Sequence, residues 1–282
     1  MEKIPISKTI RDAYSYLFAN IGIVFGLTWF AALLNTSLNC LFSEPTALFG
    51  ASRDAVTLAS LWLISSVVLV LVYSVAAVVL TRHALGLRSQ RTSFYFAFGK
   101  AEWRLFLASA ECLVATLAGM VASTLGIALL ALTGLFPIWL VGGLAIIAIL
   151  ALIAFVSVRY LFFLPLAAVL APNQWLGRSY DLSAGSSWRI LAIVVGVASP
   201  VFGCAIVLSL PQLVTELITA WRTGILHWPS SPNDFDAMIN SIRRGESHWW
   251  YVPRLALEFV GTILLWALVA SAAVFAYKPL TR

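Results

Sequence analysis

Val158-Arg-Tyr-Leu-Phe-Phe-Leu-Pro165, followed by the polar elbow Asn173-Gln-Trp-Leu-Gly-Arg-Ser-Tyr-Asp-Leu-Ser-Ala-Gly185 and then Trp188-Arg189 and renewed apolar sequence to Pro200, decides how this chain is to be read. It has the order of parts expected at a membrane surface. One apolar helix ends on a basic and aromatic rim, a short amphipathic helix lies in the headgroup layer, and a second apolar helix leaves from it. Looser copies of the same unit stand upstream.

The rest of the composition agrees. Of 282 residues, 61% are hydrophobic and 11% are charged, too little polar surface to coat a water-soluble globule of this length. A hydrocarbon core about 30 Å thick takes roughly 20 apolar residues per helix. Six segments meet that length, at residues 18–41, 55–80, 105–132, 138–160, 188–210 and 255–277, in a single membrane domain covering 1–282. The fourth is expected to bend at Pro165, and the fifth to break at Pro200 and end at Pro211. Residues 212–225 are then amphipathic, and an outer loop over about 222–254 carries most of the remaining polar sequence. The apolar run near Leu17 is too long for a cleavable signal and is expected to stay as the first span.

Charge sets the orientation. With both termini and the second and fourth loops in the cytoplasm, 13 of the 18 Lys and Arg fall inside; Arg53, Arg222, Arg243, Arg244 and Arg254 make the 5 outside. The positive-inside rule accepts this arrangement and rejects its inverse, which implies a multi-pass protein of the cell (inner) membrane of a bacterium with both termini cytoplasmic. The net charge of +6 belongs to short loops between membrane helices. Nucleic acid is therefore not expected as a partner, even at the basic and aromatic strip 82–104.

Before each odd-numbered span stands an aromatic or basic segment, at 13–19, 94–103 and 180–188. Gly99 ahead of Trp103-Arg104-Leu105 parallels Gly185 ahead of Trp188-Arg189-Ile190, one residue out of step. The expected fold is all-α: six transmembrane helices as three hairpins, each preceded by a cytoplasmic interfacial amphipathic helix. Gly22 and Gly26 have the small-residue spacing of a close helix contact, read as packing within the bundle; such faces permit a homo-oligomer without requiring one.

The chain resembles the six-helix membrane domain associated with some bacterial glycerophosphodiester phosphodiesterases, and the related stand-alone YciC-like membrane proteins. The likeness lies in Val158-Arg159-Tyr160 with Pro165, in Gly177-Arg178-Ser179 followed by Gly185 and Trp188-Arg189, and in Tyr16-Leu17-Phe18-Ala19-Asn20. Where that family carries small and acidic residues, this chain has Ala171-Pro-Asn-Gln-Trp175. The soluble phosphodiesterase domain of the fusions has no counterpart here, so the resemblance implies a membrane role without hydrolase activity.

Chemistry-bearing patterns are few. HExxH, GxGxxG, a P-loop, GxSxG and CxxC do not occur, and Cys40, Cys112 and Cys204 stand singly. His83, His227 and His248 are far apart, so neither catalytic residues nor a metal or other cofactor are expected. Asp234 and Asp236 flank a helix start, where acids act as a cap more often than as a cation site. A carboxylate at membrane depth costs about 2.5–3.5 kcal/mol on insertion scales, which singles out Glu111, Glu216 and Glu258. Glu258 has Arg254 one turn away and is read as an outer interface pair. Glu111, about seven residues into its span, is expected either to form a buried ion pair with Arg159 or to be a protonatable site on a transport path; pairing takes precedence. The elbow residues Arg178, Ser179, Gly185, Trp188 and Arg189 complete the candidate set.

The expected function is that of a non-enzymatic integral membrane protein, in envelope lipid organisation or membrane-protein assembly. Membrane lipids and another membrane protein are its expected partners. The alternative is a small transporter or lipid-handling carrier with a cavity between the hairpins.

Overall fold

The computed structural model describes residues 4–43, 55–87, 98–132, 138–171, 175–222 and 248–281. The described residues are helical throughout apart from short turns. The helices are α1 (Ile6–Ala19), α2 (Ile21–Ser43), α3 (Ala55–Ala84), α4 (Lys100–Leu132), α5 (Ile138–Val156), a π-helical turn (Ser157–Leu161), α6 (Leu164–Leu170), α7 (Trp175–Ser183), α8 (Ser187–Arg222) and α9 (His248–Tyr277), with a closing 3₁₀ turn (Lys278–Thr281). Six of these stretches are long and apolar enough to cross a membrane, starting at Ile21, Leu63, Lys100, Ile146, Ser187 and Leu255. The protein is an all-α, multi-pass membrane protein.

The bundle is organised around α9, which packs against α1, α2, α3 and α8. Ala267, Ala270, Ala272, Ala273 and Ala276 are all buried on it. Methyl side chains let four neighbours approach one helix, which in lipid is a main source of attraction between spans. A second apolar cluster joins α3, α4 and α6 through Val78, Ala101, Leu105, Ala108, Leu164 and Ala168. The hairpin α4–α5 is more peripheral. Gly119 there lies so close to α5 that a methyl group on it would stand 2.7 Å from Leu152 Cδ2.

α1 is docked on its buried face through Thr9, Ala13 and Leu17, while Phe18 is exposed. Asn20 separates α1 from α2: its N–H bonds back to Tyr16 and Leu17 carbonyls, and its own carbonyl accepts the N–H groups of Ile23 and Val24. The first span therefore begins at Ile21 and not at residue 18. Gly196 on α8 admits α1, since a methyl there would lie 2.6 Å from Ile10 Cδ1. Gly22, expected to be a close-contact position, would meet open space with the same methyl. Its flexibility serves no packing among the described residues.

Two expectations about proline are corrected. α8 runs unbroken from Ser187 to Arg222 through both Pro200 and Pro211. Pro200 removes the N–H that would reach the Gly196 carbonyl and its ring crowds that turn. The hydroxyl of Ser199 turns back to Gly196 O at 3.4 Å, and the phenol of Tyr14 donates to Val197 O at 2.8 Å. With its freed carbonyls supplied from outside the ladder, the helix has no reason to end. The residues before Trp103 also differ from a separate interfacial helix. Gly99 is non-helical, Lys100 already begins α4, and 88–97 lie outside the described residues.

Candidate functional site

The elbow is the most elaborated polar region of the described structure. It begins in the π turn, where Phe162 N–H bonds to Ser157 O over five residues instead of four. Such a turn widens the helix and leaves carbonyls without their usual donors. Pro165, at the second position of α6, supplies no N–H to the turn before it. α7 meets both deficits. Ser179 Oγ donates to Tyr160 O at 2.5 Å, and Ser183 Oγ lies 3.0 Å from Arg159 O and 2.8 Å from Tyr180 O. Both serines are fully buried, four residues apart on one face of α7. Ser179 is thus the cap of a defect in the neighbouring span.

Gly185 ends this unit in the left-handed region, at φ 74°, a conformation it shares with Gly86 after α3. At Gly86 the bonds from Gly86 N–H to His83 O and from Leu87 N–H to Arg82 O close a Schellman turn. Beyond Gly185, Trp188 is 82% exposed, as an aromatic ring at a lipid headgroup level would be. Arg189 reaches the other way and donates from Nη1 to Ile4 O at 2.8 Å, which ties the N-terminal segment to the start of α8. Arg178 is exposed and lines a cavity of about 330 Å³ with Leu166, Leu170, Leu182 and Tyr277, between α6, α7 and the end of α9.

Glu111 and Arg159 do not meet. Glu111 lies on an exposed face of α4, and the ion pairs among the described residues are Arg82–Glu102 and Arg11–Asp12. The expected buried pair is corrected for a geometric reason: Glu111 points away from the bundle, whereas Arg159 turns its guanidinium onto α7. Arg159 Cζ stands 4.8 Å above the ring of Tyr180. At the opposite end of the bundle, Glu258 accepts a hydrogen bond from Asn39 Nδ2 at 2.8 Å, so its described contact is with α2. The Arg254 side chain lies outside the described residues, as do Asp234, Asp236 and the side chains of Glu216, His227 and His248.

Among the described residues the buried acid is Glu102. Its side chain is 0% exposed; Oε1 accepts from Arg82 Nη1 at 3.1 Å and Oε2 from the Gly99 N–H at 3.1 Å. Gly99 is the cap of α4 and Glu102 stands three positions on, the reciprocal half of a capping box. That spacing, with Arg82 at the end of the preceding span, was the available signal in the sequence. Next to Arg82, His83 Nδ1 hydrogen-bonds to the phenol of Tyr16 at 2.5 Å. Burial pushes the Tyr16 hydroxyl above its usual range, so the phenol stays protonated at neutral pH. Among the described residues no group of three or more His, Cys, Asp or Glu is placed to hold a metal ion.

Fold and site together define a six-span helical membrane protein in which, among the described residues, the polar side-chain contacts of the elbow, of Arg82–Glu102 and of Arg189 with Ile4 lie toward the end that carries α1 and α7. No family model, curated protein or solved structure matches the chain.

Proposed function

We propose that this protein is a non-enzymatic membrane scaffold that binds another membrane protein along the outward face of α4, at the depth of Glu111. The observation that carries this is the direction of Glu111. Ionisable residues within membrane spans face the bundle interior or a wet cavity in nearly every case, because lipid offers them no partner. Glu111 lies about 13 Å along α4 beyond Glu102, taking nine residues at 1.5 Å each, yet it is exposed on an apolar face with Val114, Val121 and Leu125. Ala115, Ala118 and Ala122 are exposed on that same face. Small side chains there allow a second helix to come close, and a Lys, Arg, Asn or Gln on that helix would satisfy the carboxylate.

The scaffold reading is further supported by how the middle of the bundle is filled. Ala31, Val72 and Ala76 are buried against Leu34 and Trp266, where a carrier would need a passage. The 13-to-5 distribution of basic residues supports an orientation with both termini in the cytoplasm of a bacterial cell, and α1 and α7 as helices at that surface. The likeness to the YciC-like proteins supports the same role without hydrolysis.

A photoreactive residue at Ala118, in native membranes, tests the proposal. It should capture a membrane-spanning partner, E111L should abolish that capture, and a photoreactive residue at Val195 on α8 should not reproduce it. Capture that is indifferent to E111L would sink the scaffold reading. Solute flux in liposomes that is lost in E111Q would move the assignment to the carrier alternative.

A further inference from the structure

We infer that the cavity between α6, α7 and the end of α9 is a binding site for a single-chain anionic amphiphile of the fatty-acid class. Its volume is about 330 Å³, and Leu166, Ala167, Leu170, Arg178, Leu182 and Tyr277 are among the residues that line it. Small-molecule sites fall between about 300 and 1,000 Å³. At roughly 30 Å³ for each water-sized group, this one takes about eleven such groups. That is the bulk of one medium-length acyl chain and far less than a two-chain phospholipid.

The walls change character with depth. Leu166 and Ala167 are buried at the floor, whereas Leu170 is 44% exposed and Arg178 is exposed at the mouth. An alkyl chain therefore leaves water where aliphatic carbon receives it, while a charged head stays at the rim. That head must be an anion. Arg178 is protonated at any physiological pH, and neither it nor Tyr277 has an ion pair or hydrogen bond among the described residues. Asp181 stands three positions further along α7, yet the ion pairs of the described residues are Arg11–Asp12 and Arg82–Glu102. The two faces of α7 divide the work: Ser179 and Ser183 serve the π turn, and Arg178 and Leu182, four residues apart, border the cavity. A guanidinium offers a carboxylate two parallel N–H donors, and Tyr277, the lining residue from α9, carries a further donor in its phenol. The cavity is independent of the outward face of α4.

Decanoate titrated into the purified full-length protein in an uncharged maltoside detergent, followed by native mass spectrometry, tests the site. It should bind, and decanol, with the same chain and no charge, should not. R178Q should weaken decanoate binding roughly tenfold or more, the loss of a charge-assisted hydrogen bond. K8Q, on the exposed side of α1, and E111L should bind as wild type does, so failure here is separable from failure of the scaffold reading. L182W fills the cavity from α7 and should block binding. Should either cavity variant fail to fold, wild-type protein irradiated with a decanoate carrying a diazirine in its chain should be labelled within residues 166–171 or 178–182. Equal binding of decanol, undiminished binding by folded R178Q, or labelling confined to other segments would overturn the inference. Displacement of decanoate at equal concentration would overturn it too, by acetate in favour of a soluble anion and by phosphatidylglycerol in favour of a bilayer lipid.

Discussion

Arg82 and Glu102, twenty residues apart on consecutive spans, form a half-buried ion pair in which Nη1 donates to Oε1 over 3.1 Å. The second carboxylate oxygen accepts the Gly99 N–H, so one side chain joins the end of α3 to the start of α4. Removing the acid takes the carboxylate partner from a guanidinium whose side chain is 35% exposed. E102A should therefore lower stability by about 3 kcal/mol, the lower end for breaking a buried pair, because Arg82 retains some solvent. E102Q keeps an oxygen for Gly99 and should lose less. Thermal unfolding in detergent micelles checks the order; an E102A variant as stable as wild type would contradict it.

Tyr16 gives the protein an alkaline limit. Burial raises its hydroxyl above the usual 10.0, and burial, followed by the nearby Cys204, raises that of Tyr14. An acid whose folded pKa lies above its unfolded value binds its proton more tightly when folded. Its stabilisation is complete below about pH 10 and declines as pH rises toward the folded value. Unfolding monitored from pH 8 to 12 should show stability falling only above pH 10, with a shallower fall in Y16F. That variant should also be about 1 kcal/mol less stable at neutral pH through loss of the His83 hydrogen bond. A Y16F profile parallel to wild type would disprove the assignment.

Ser179 and Ser183 should matter because of the π turn, not in their own right. S179A leaves Tyr160 O without its donor inside the protein and should cost about 1–2 kcal/mol. In a P165A background an N–H becomes available to the preceding turn, and the same serine substitution should cost less. A double-mutant cycle on unfolding free energies measures the difference. Strict additivity would show that Ser179 does not compensate for the proline.

Gly196 should be intolerant of a methyl only while Ile10 is present. A Cβ there would stand 2.6 Å from Ile10 Cδ1, so G196A should loosen α1 from α8 and destabilise by about 1–3 kcal/mol, the range for overpacking. Replacing Ile10 with Val removes that terminal carbon and should restore most of the loss. Protease sensitivity of residues 6–19 reports the undocking; equal sensitivity of G196A and the G196A/I10V pair would rule out the contact.

All six spans were legible from length and composition, because a lipid core imposes one requirement on every helix that crosses it. The ends were less so. Asn20 stops α1 through bonds to Tyr16 and Leu17, and Pro200 fails to stop α8 because Ser199 and Tyr14 serve the freed carbonyls. An irregularity at Pro165 was visible, and the helix is interrupted just before it, at residues 162–163; the π turn at Ser157–Leu161 was not visible, since it depends on serines from a separate helix. The elbow residues were found as a motif, but Ser179 and Ser183 as caps and Arg189 as a tether to Ile4 required the packed structure.

What the amino-acid sequence determined by itself is the class of this protein: hydrophobic length and charge content decide whether a helix can live in lipid, and both are properties of single segments. What only the tertiary structure decided is which charges are partnered. Glu111 was the conspicuous acid because it lies deepest in its span, yet Glu102 is the one enclosed, with Arg82 and Gly99 as its partners. Pairing depends on the angle at which a side chain leaves its helix and on which neighbour packs there, and neither is written in the residue order of one span.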